Sequence, residues 1–137
     1  APFGEPFPKR EAFLLSKRGI IMTGYIYLAS PYSHRSPFVR EQRYLAAMQE
    51  MVEHLRQGVA IYSPIVHCHE LAKIVDLPKD AAFWEAYNFT MLRESRGLWL
   101  LMLPGWEESV GCAGEVEEAL RLSLPVFYIS PKENYYE

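Results

Sequence analysis

Cysteine is scarce in this chain, with two residues in 137, Cys68 and Cys112. One pair makes no disulfide framework, and it fits a reducing compartment, so the cytoplasm is the expected location. Long hydrophobic runs are lacking as well. The longest uninterrupted one falls far short of the roughly 20 residues that span a bilayer, so no membrane partner is expected. Ala1 to Ile21 carries Glu5, Lys9, Arg10 and Glu11 with no adequate apolar segment, which argues against a secretory leader. Nor is there an excess of basic charge. The net charge of -3 argues against a nucleic-acid polymer as partner. Internal repeats and low-complexity segments are absent.

What is present is apolar: 50% of the residues are hydrophobic, enough for one domain with a real core. Ala1 to Gly24, broken by Pro2, Pro6 and Pro8, reads as an N-terminal extension or a remnant of expression, although Glu11 to Lys17 has the makings of a short helix. Residues 25–137 read as the domain. Tyr25 to Ala29 (YIYLA), Val59 to Ser63, Leu98 to Leu103 and Pro125 to Ile129 are predicted strands. Between them lie predicted helices. One is capped by Ser36 with Pro37 at its first position, runs to about Gln57 before Gly58, and carries Leu45, Met48, Val52 and Leu55 on one face. A short one covers His67 to Val75, with a turn at Asp76 to Lys79. A third runs from the cap Asp80 to Arg96, and a fourth from about Gly111 to Ser123.

Alternating strands and helices imply an α/β fold, a three-layer flavodoxin-like parallel sheet in the order 2-1-3-4 with a possible extra edge element. In such a sheet the first and third strands flank the point where strand order reverses. The crevice at their carboxyl ends is the default ligand site. Two loops converge there by topology alone, Ser30 to Arg35 and Pro104 to Cys112. The second belongs to the most informative stretch of the chain, LWLLMLPGWEESVGCAGEVEEA from Leu98 to Ala119. Its polar loop enters a helix with Glu115 in the expected first turn. There backbone N–H groups suit an anion and the helix dipole favours an ionised carboxylate. Glu107, Glu108, Glu115, Glu117 and Glu118 make this region locally acidic.

Two motifs, IYLASPYSH and LPGWEESVGCAGEVEEA, resemble the nucleoside 2-deoxyribosyltransferase-like superfamily, in particular its small uncharacterised bacterial members. The resemblance runs from Tyr25 to Ile129. It implies a domain that binds a nucleoside or nucleotide and cleaves or transfers its N-glycosidic bond, without cofactor or metal. Glu115 takes the place of the catalytic glutamate that attacks the sugar's C1′, and Tyr27 that of a tyrosine bonded to it. Ser109 and Gly111 match the loop that meets the sugar's 5′ end or its phosphate, and Ser30, Ser33 and His34 sit in the opposing loop. Trp106, after its Pro-Gly turn, is the best candidate for an exposed aromatic that stacks on a base, with Trp84 and Phe38 as further wall residues. Relatives form dimers or larger rings.

Each of these residues also has a plainer role open to it: Glu115 beside a helix dipole, Ser109 as a helix cap, Tyr27 as a buried strand aromatic, His34 as a solvated loop histidine. Asn88 is the departure. The superfamily usually has an aspartate there to handle the leaving base's proton. An amide cannot act as a general acid, which leaves Glu85, Glu94 or Tyr87 for that work, or binding without turnover. An enzyme acting on another ribosyl substrate, such as a nicotinamide dinucleotide, is a third reading. His67-Cys68-His69-Glu70 has metal-like spacing but lacks convincing further ligands. The third helix is apolar on more than one face, through Phe83, Trp84, Tyr87, Phe89, Met91 and Leu92, which predicts a homo-oligomer. The tail residues Tyr135 and Tyr136 suit a contact between subunits.

Overall fold

Alternation of strand and helix yields a four-stranded, wholly parallel sheet in the order 2-1-3-4, as the sequence pattern predicts. The computed structural model describes residues 23–74, 77 and 81–132. The strands are β1 (Ile26–Ala29), β2 (Ile61–Tyr62), β3 (Gly97–Leu101) and β4 (Val126–Ile129). The helices are α1 (Pro37–Arg56), α2 (Pro64–Cys68), α3 (Ala81–Arg93) and α4 (Val110–Arg121). Residues 1–22 of the predicted N-terminal extension, the cap Asp80, most of the turn before it and the tail Tyr135-Tyr136 lie outside the described residues.

Local chemistry explains most element ends. Ser36 caps α1 through its hydroxyl, with Pro37 next, and Gly58 at φ 81° lets the chain leave. Ser63-Pro64 repeats the same signature. The Ser63 hydroxyl accepts from the Val66 N–H at 3.1 Å and starts α2. That corrects the helix expected at His67 to Val75: helix begins at Pro64, ends at Cys68, and is followed by a 3-10 turn at Leu71–Lys73. Pro64 ends a strand and starts a helix at once.

β3 pairs with β1 (Tyr27 with Leu98, Leu28 with Trp99) and with β4 (Leu98 with Val126). Pleating then sends alternate side chains to opposite faces. Ile26, Leu28, Trp99 and Leu101 lie under α1 with Ala46. Tyr27, Ala29, Leu98 and Leu100 face α3 and α4, against Leu92, Cys112 and Ala119. Because β1 and β3 are covered on both faces, they read as continuous apolar runs rather than alternating ones.

α1 does not turn its most apolar face inward. The side chains it buries are Arg43, Ala46, Ala47 and Glu50, while Leu45, Val52 and Leu55 face solvent. Two alanines at the centre of the buried stripe let the helix lie close to the sheet. The polar residues at its ends have hydrogen-bond partners. Arg43 donates to the Ser33 and Pro104 carbonyls at 3.0 Å each, and Glu50 meets His54 Nε2 at 2.9 Å. Hydrogen-bonded polar groups are tolerated inside, so apolarity alone does not decide which face turns inward. Among the described residues no helix is long and apolar enough to cross a membrane.

Candidate functional site

Tyr27 is the central strand tyrosine of β1, fully buried and directed toward α4. Its hydroxyl donates to Glu115 Oε2. Glu115 is only 8% exposed. The two side chains come from residues 88 positions apart, and the fold brings them together at the centre of the sheet.

Glu115 is not in the first turn of its helix. α4 starts at Val110, so Glu115 is its sixth residue, beyond the reach of the helix-start amides. The expectation of a carboxylate held ionised by the helix dipole is therefore overturned. Burial pushes its pKa up from 4.5 to about 7, against the lowering effect of the Tyr27 hydrogen bond. Tyr27 is driven well above the ordinary phenol range, by burial first and by the Glu115 charge second. It thus stays a hydrogen-bond donor at any ordinary pH. The pair is a carboxyl that titrates near neutrality, fixed by a phenol that does not.

A ladder of rings leads outward from this pair. The Tyr62 ring lies 5.9 Å from that of Tyr27 and 5.7 Å from that of His67. Tyr87 of α3 stacks on His67 with planes 6° apart, and its hydroxyl lies 3.1 Å from His67 Nε2. Trp84 and Phe83 extend the ladder along α3. Burial, and then the adjacent Tyr87 hydroxyl, raise the Tyr62 pKa, yet the buried Tyr62 hydroxyl completes no hydrogen bond. The same is true of the buried Ser30 hydroxyl oxygen and of Asn88 Oδ1. Buried polar atoms of native proteins are rarely left unpaired, and each such atom costs about 1–3 kcal/mol unless a partner arrives. Three of them, on β2, on the loop after β1 and on α3, are where a polar ligand is most needed.

Each remaining candidate has a definite place. Ser33 and His34 are exposed. The Ser33 carbonyl accepts from Arg43, and His34 Nδ1 accepts the Ser36 N–H at 3.0 Å. Through that bond His34 helps to shape its own turn. Ser109 caps α4, its hydroxyl accepting from the Cys112 N–H at 3.1 Å. Gly111 is exposed, and a Cβ there would meet nothing nearer than Ser109 Oγ at 3.9 Å, so glycine is not sterically required. Trp106 packs on Tyr128, with centroids 5.6 Å apart, and lines a groove of about 380 Å³ with Val116, Glu117 and Leu120 along α4. It is not among the rings that flank Tyr27. Phe38 stands 63% exposed on the outer side of α1 and walls nothing. Trp84 joins the ring ladder of α3.

Three residues of this region went unrecognised as site residues in the sequence: Arg43, Tyr62 and His67. Arg43 ties the loop after β1 to the loop after β3 through two carbonyls, so it sets the width of the crevice. Its signal was present as the small and polar stripe Arg43, Ala46, Ala47, Glu50 at helical spacing. His67 had been weighed only as a metal ligand. The structure gives it and His69 separate partners. His69 is buried, stacked on Tyr44, and bonded to Tyr32 at 2.7 Å and Glu41 at 2.8 Å.

With this geometry established, a family profile described as a domain of unknown function, DUF1937, matches residues 24–131. The chain belongs to the DUF1937 family. The matched segment of this DUF1937 member takes in all four strands, Tyr27, Glu115 and the two crevice loops. No curated protein matched the chain.

Proposed function

We propose that this DUF1937 protein cleaves or transfers the N-glycosidic bond of a nucleoside or nucleotide, with Glu115 as nucleophile. The carrying observation is the buried Tyr27–Glu115 pair at the switch point of the sheet. A carboxyl titrating at about 7 suits chemistry at neutral pH. A Glu115 oxygen attacks C1′ through an oxocarbenium-like transition state as the C1′–N bond breaks, and the base leaves with the electron pair and takes up a proton. Water or a second base then attacks C1′, the C1′–O bond to Glu115 breaks, and the carboxylate is released as the acceptor gives up its proton. Tyr27 orients the carboxylate and keeps its other oxygen directed at the sugar. His67 and Tyr87 stand beside the partly buried ring of Tyr62 as the source of the proton that Asn88 cannot supply. The proposed setting is the cytoplasm, supported by the free thiols of Cys68 and Cys112, and the proposed state is a homo-oligomer.

A second reading, binding without turnover, is favoured by one observation: Asn88 stands where a proton donor is expected, with its buried oxygen unpaired. Incubation with a panel of nucleosides, nucleotides and dinucleotides, followed by chromatography, separates the two. Base or nicotinamide release is expected, rising as pH increases through about 7, because the nucleophile must be ionised. Tight binding of one compound with no release from any of them favours the binding protein. A rate that falls as pH rises through 7 removes Glu115 as the nucleophile.

A further inference from the structure

α1 carries an apolar seam on its outer side. Phe38, Leu45 and Val52 recur every seven residues, and Met48 and Leu55 follow Leu45 and Val52 by three. This is the spacing of a helix that packs lengthwise against another helix. Phe38 is 63% exposed, Leu45 41%, Val52 39% and Leu55 47%, while the opposite stripe of the same helix is buried on the sheet. Both faces of α1 are thus specified, one toward the sheet and one outward. The sequence pattern pointed instead to α3 as the surplus apolar surface. Among the described residues, α3 leaves only Phe83 as an exposed large hydrophobic.

The polar residues of the seam select its partner and direction. Glu41 lies in the seam between Phe38 and Leu45, bonded through one oxygen to His69 of its own chain but with about half of its side chain exposed, and Arg56 lies beside the seam's far end, with neutral Gln42 and Gln49 along the same edge. If a second α1 ran parallel, Glu41 would meet its own counterpart, a like-charge contact at the interface. Run antiparallel about a two-fold axis at Met48 and Gln49, the pairing sets Leu45 against the second copy's Val52, and Glu41 near the second copy's Arg56. A two-fold contact requires a surface to complement itself, and this seam does so in one direction only.

We infer that the outer face of α1 is a homodimer interface, formed by antiparallel pairing of Phe38, Leu45, Met48, Val52 and Leu55 with the same residues of a second copy. The inference is independent of the chemistry proposed for Glu115. Sedimentation velocity on the full chain should show a concentration-dependent dimer. Leu45→Glu combined with Val52→Glu replaces two exposed residues, so the fold should persist by circular dichroism. The dimer dissociation constant should rise by at least ~100-fold. Direction is read by cross-linking in a Cys68→Ser background. Gln49→Cys, near the axis, should form a disulfide-linked dimer on oxidation. Phe38→Cys, at the end of the helix, should not, because an antiparallel arrangement holds the two copies of that position far beyond disulfide reach. A wild-type chain that remains monomeric overturns the interface, as does a dimer that survives both charges. Cross-linking through Phe38→Cys overturns the antiparallel direction.

Discussion

Glu115 occupies a setting in which a negative charge is expensive, and that expense is measurable. Its carboxyl binds a proton more tightly in the folded chain, at about 7, than the ordinary carboxyl does at 4.5. A raised carboxyl pKa stabilises the fold at low pH, and the benefit is lost as pH climbs from 4.5 through 7. The full effect is ~3 kcal/mol. Glutamine keeps the shape and an oxygen for the Tyr27 hydroxyl, but never ionises. Glu115→Gln should therefore match the parent in stability at pH 4.5 and exceed it above pH 7, while losing all turnover. Urea unfolding at the two pH values checks this. Equal stability at both would mean that the parent pays nothing for the charge. Only part of this residue-scale picture was legible beforehand. The pairing of Tyr27 with Glu115 came through a resemblance of motifs. The titration did not, because it depends on burial, and burial depends on where α4 begins.

Among the elements, α1 does more than cover the sheet. Arg43 reaches from its buried face to the carbonyls of Ser33 and Pro104, bracing one loop against the other. Gly105, next to Pro104, has φ 91°, and a Cβ there would stand 2.5 Å from Arg43 Nη2. Both the backbone and the guanidinium require glycine. Gly105→Ala should cost about 1–3 kcal/mol and displace the loop. Arg43→Ala should cost a similar amount through the two lost bonds. Because both changes act on one contact, the double variant should be less destabilised than the sum of the singles. Strict additivity in urea unfolding would show that the clash and the brace are unconnected. Strand and helix identities were readable from propensity, caps and alternation, and the strand order from connection rules. The facing of α1 was not readable, because its apolar residues lie outside and a satisfied arginine lies inside. Hydrophobicity names an amphipathic helix, but hydrogen-bond partners from other elements decide which side it buries.

Across the whole molecule, the parallel sheet brings the loops after β1 and β3 to one end of β1 and β3, and the ring ladder joins that end to α3. On three elements a polar atom is buried with no hydrogen-bond partner: the hydroxyls of Ser30 and Tyr62 and the amide oxygen of Asn88. That has a practical consequence for finding a ligand. A compound that supplies those partners does so only in the folded chain, so it raises the melting temperature by mass action, whether or not it reacts. At a hundred times its dissociation constant it adds ~2.7 kcal/mol, which in a domain of this size lifts the midpoint by several degrees. Heat therefore becomes a way to search for the ligand. A differential scanning fluorimetry screen of nucleosides, nucleotides and dinucleotides should produce a few clear upward shifts, and Ser30→Ala should shrink them selectively. A screen that moves nothing would direct the search to other chemistry for this crevice.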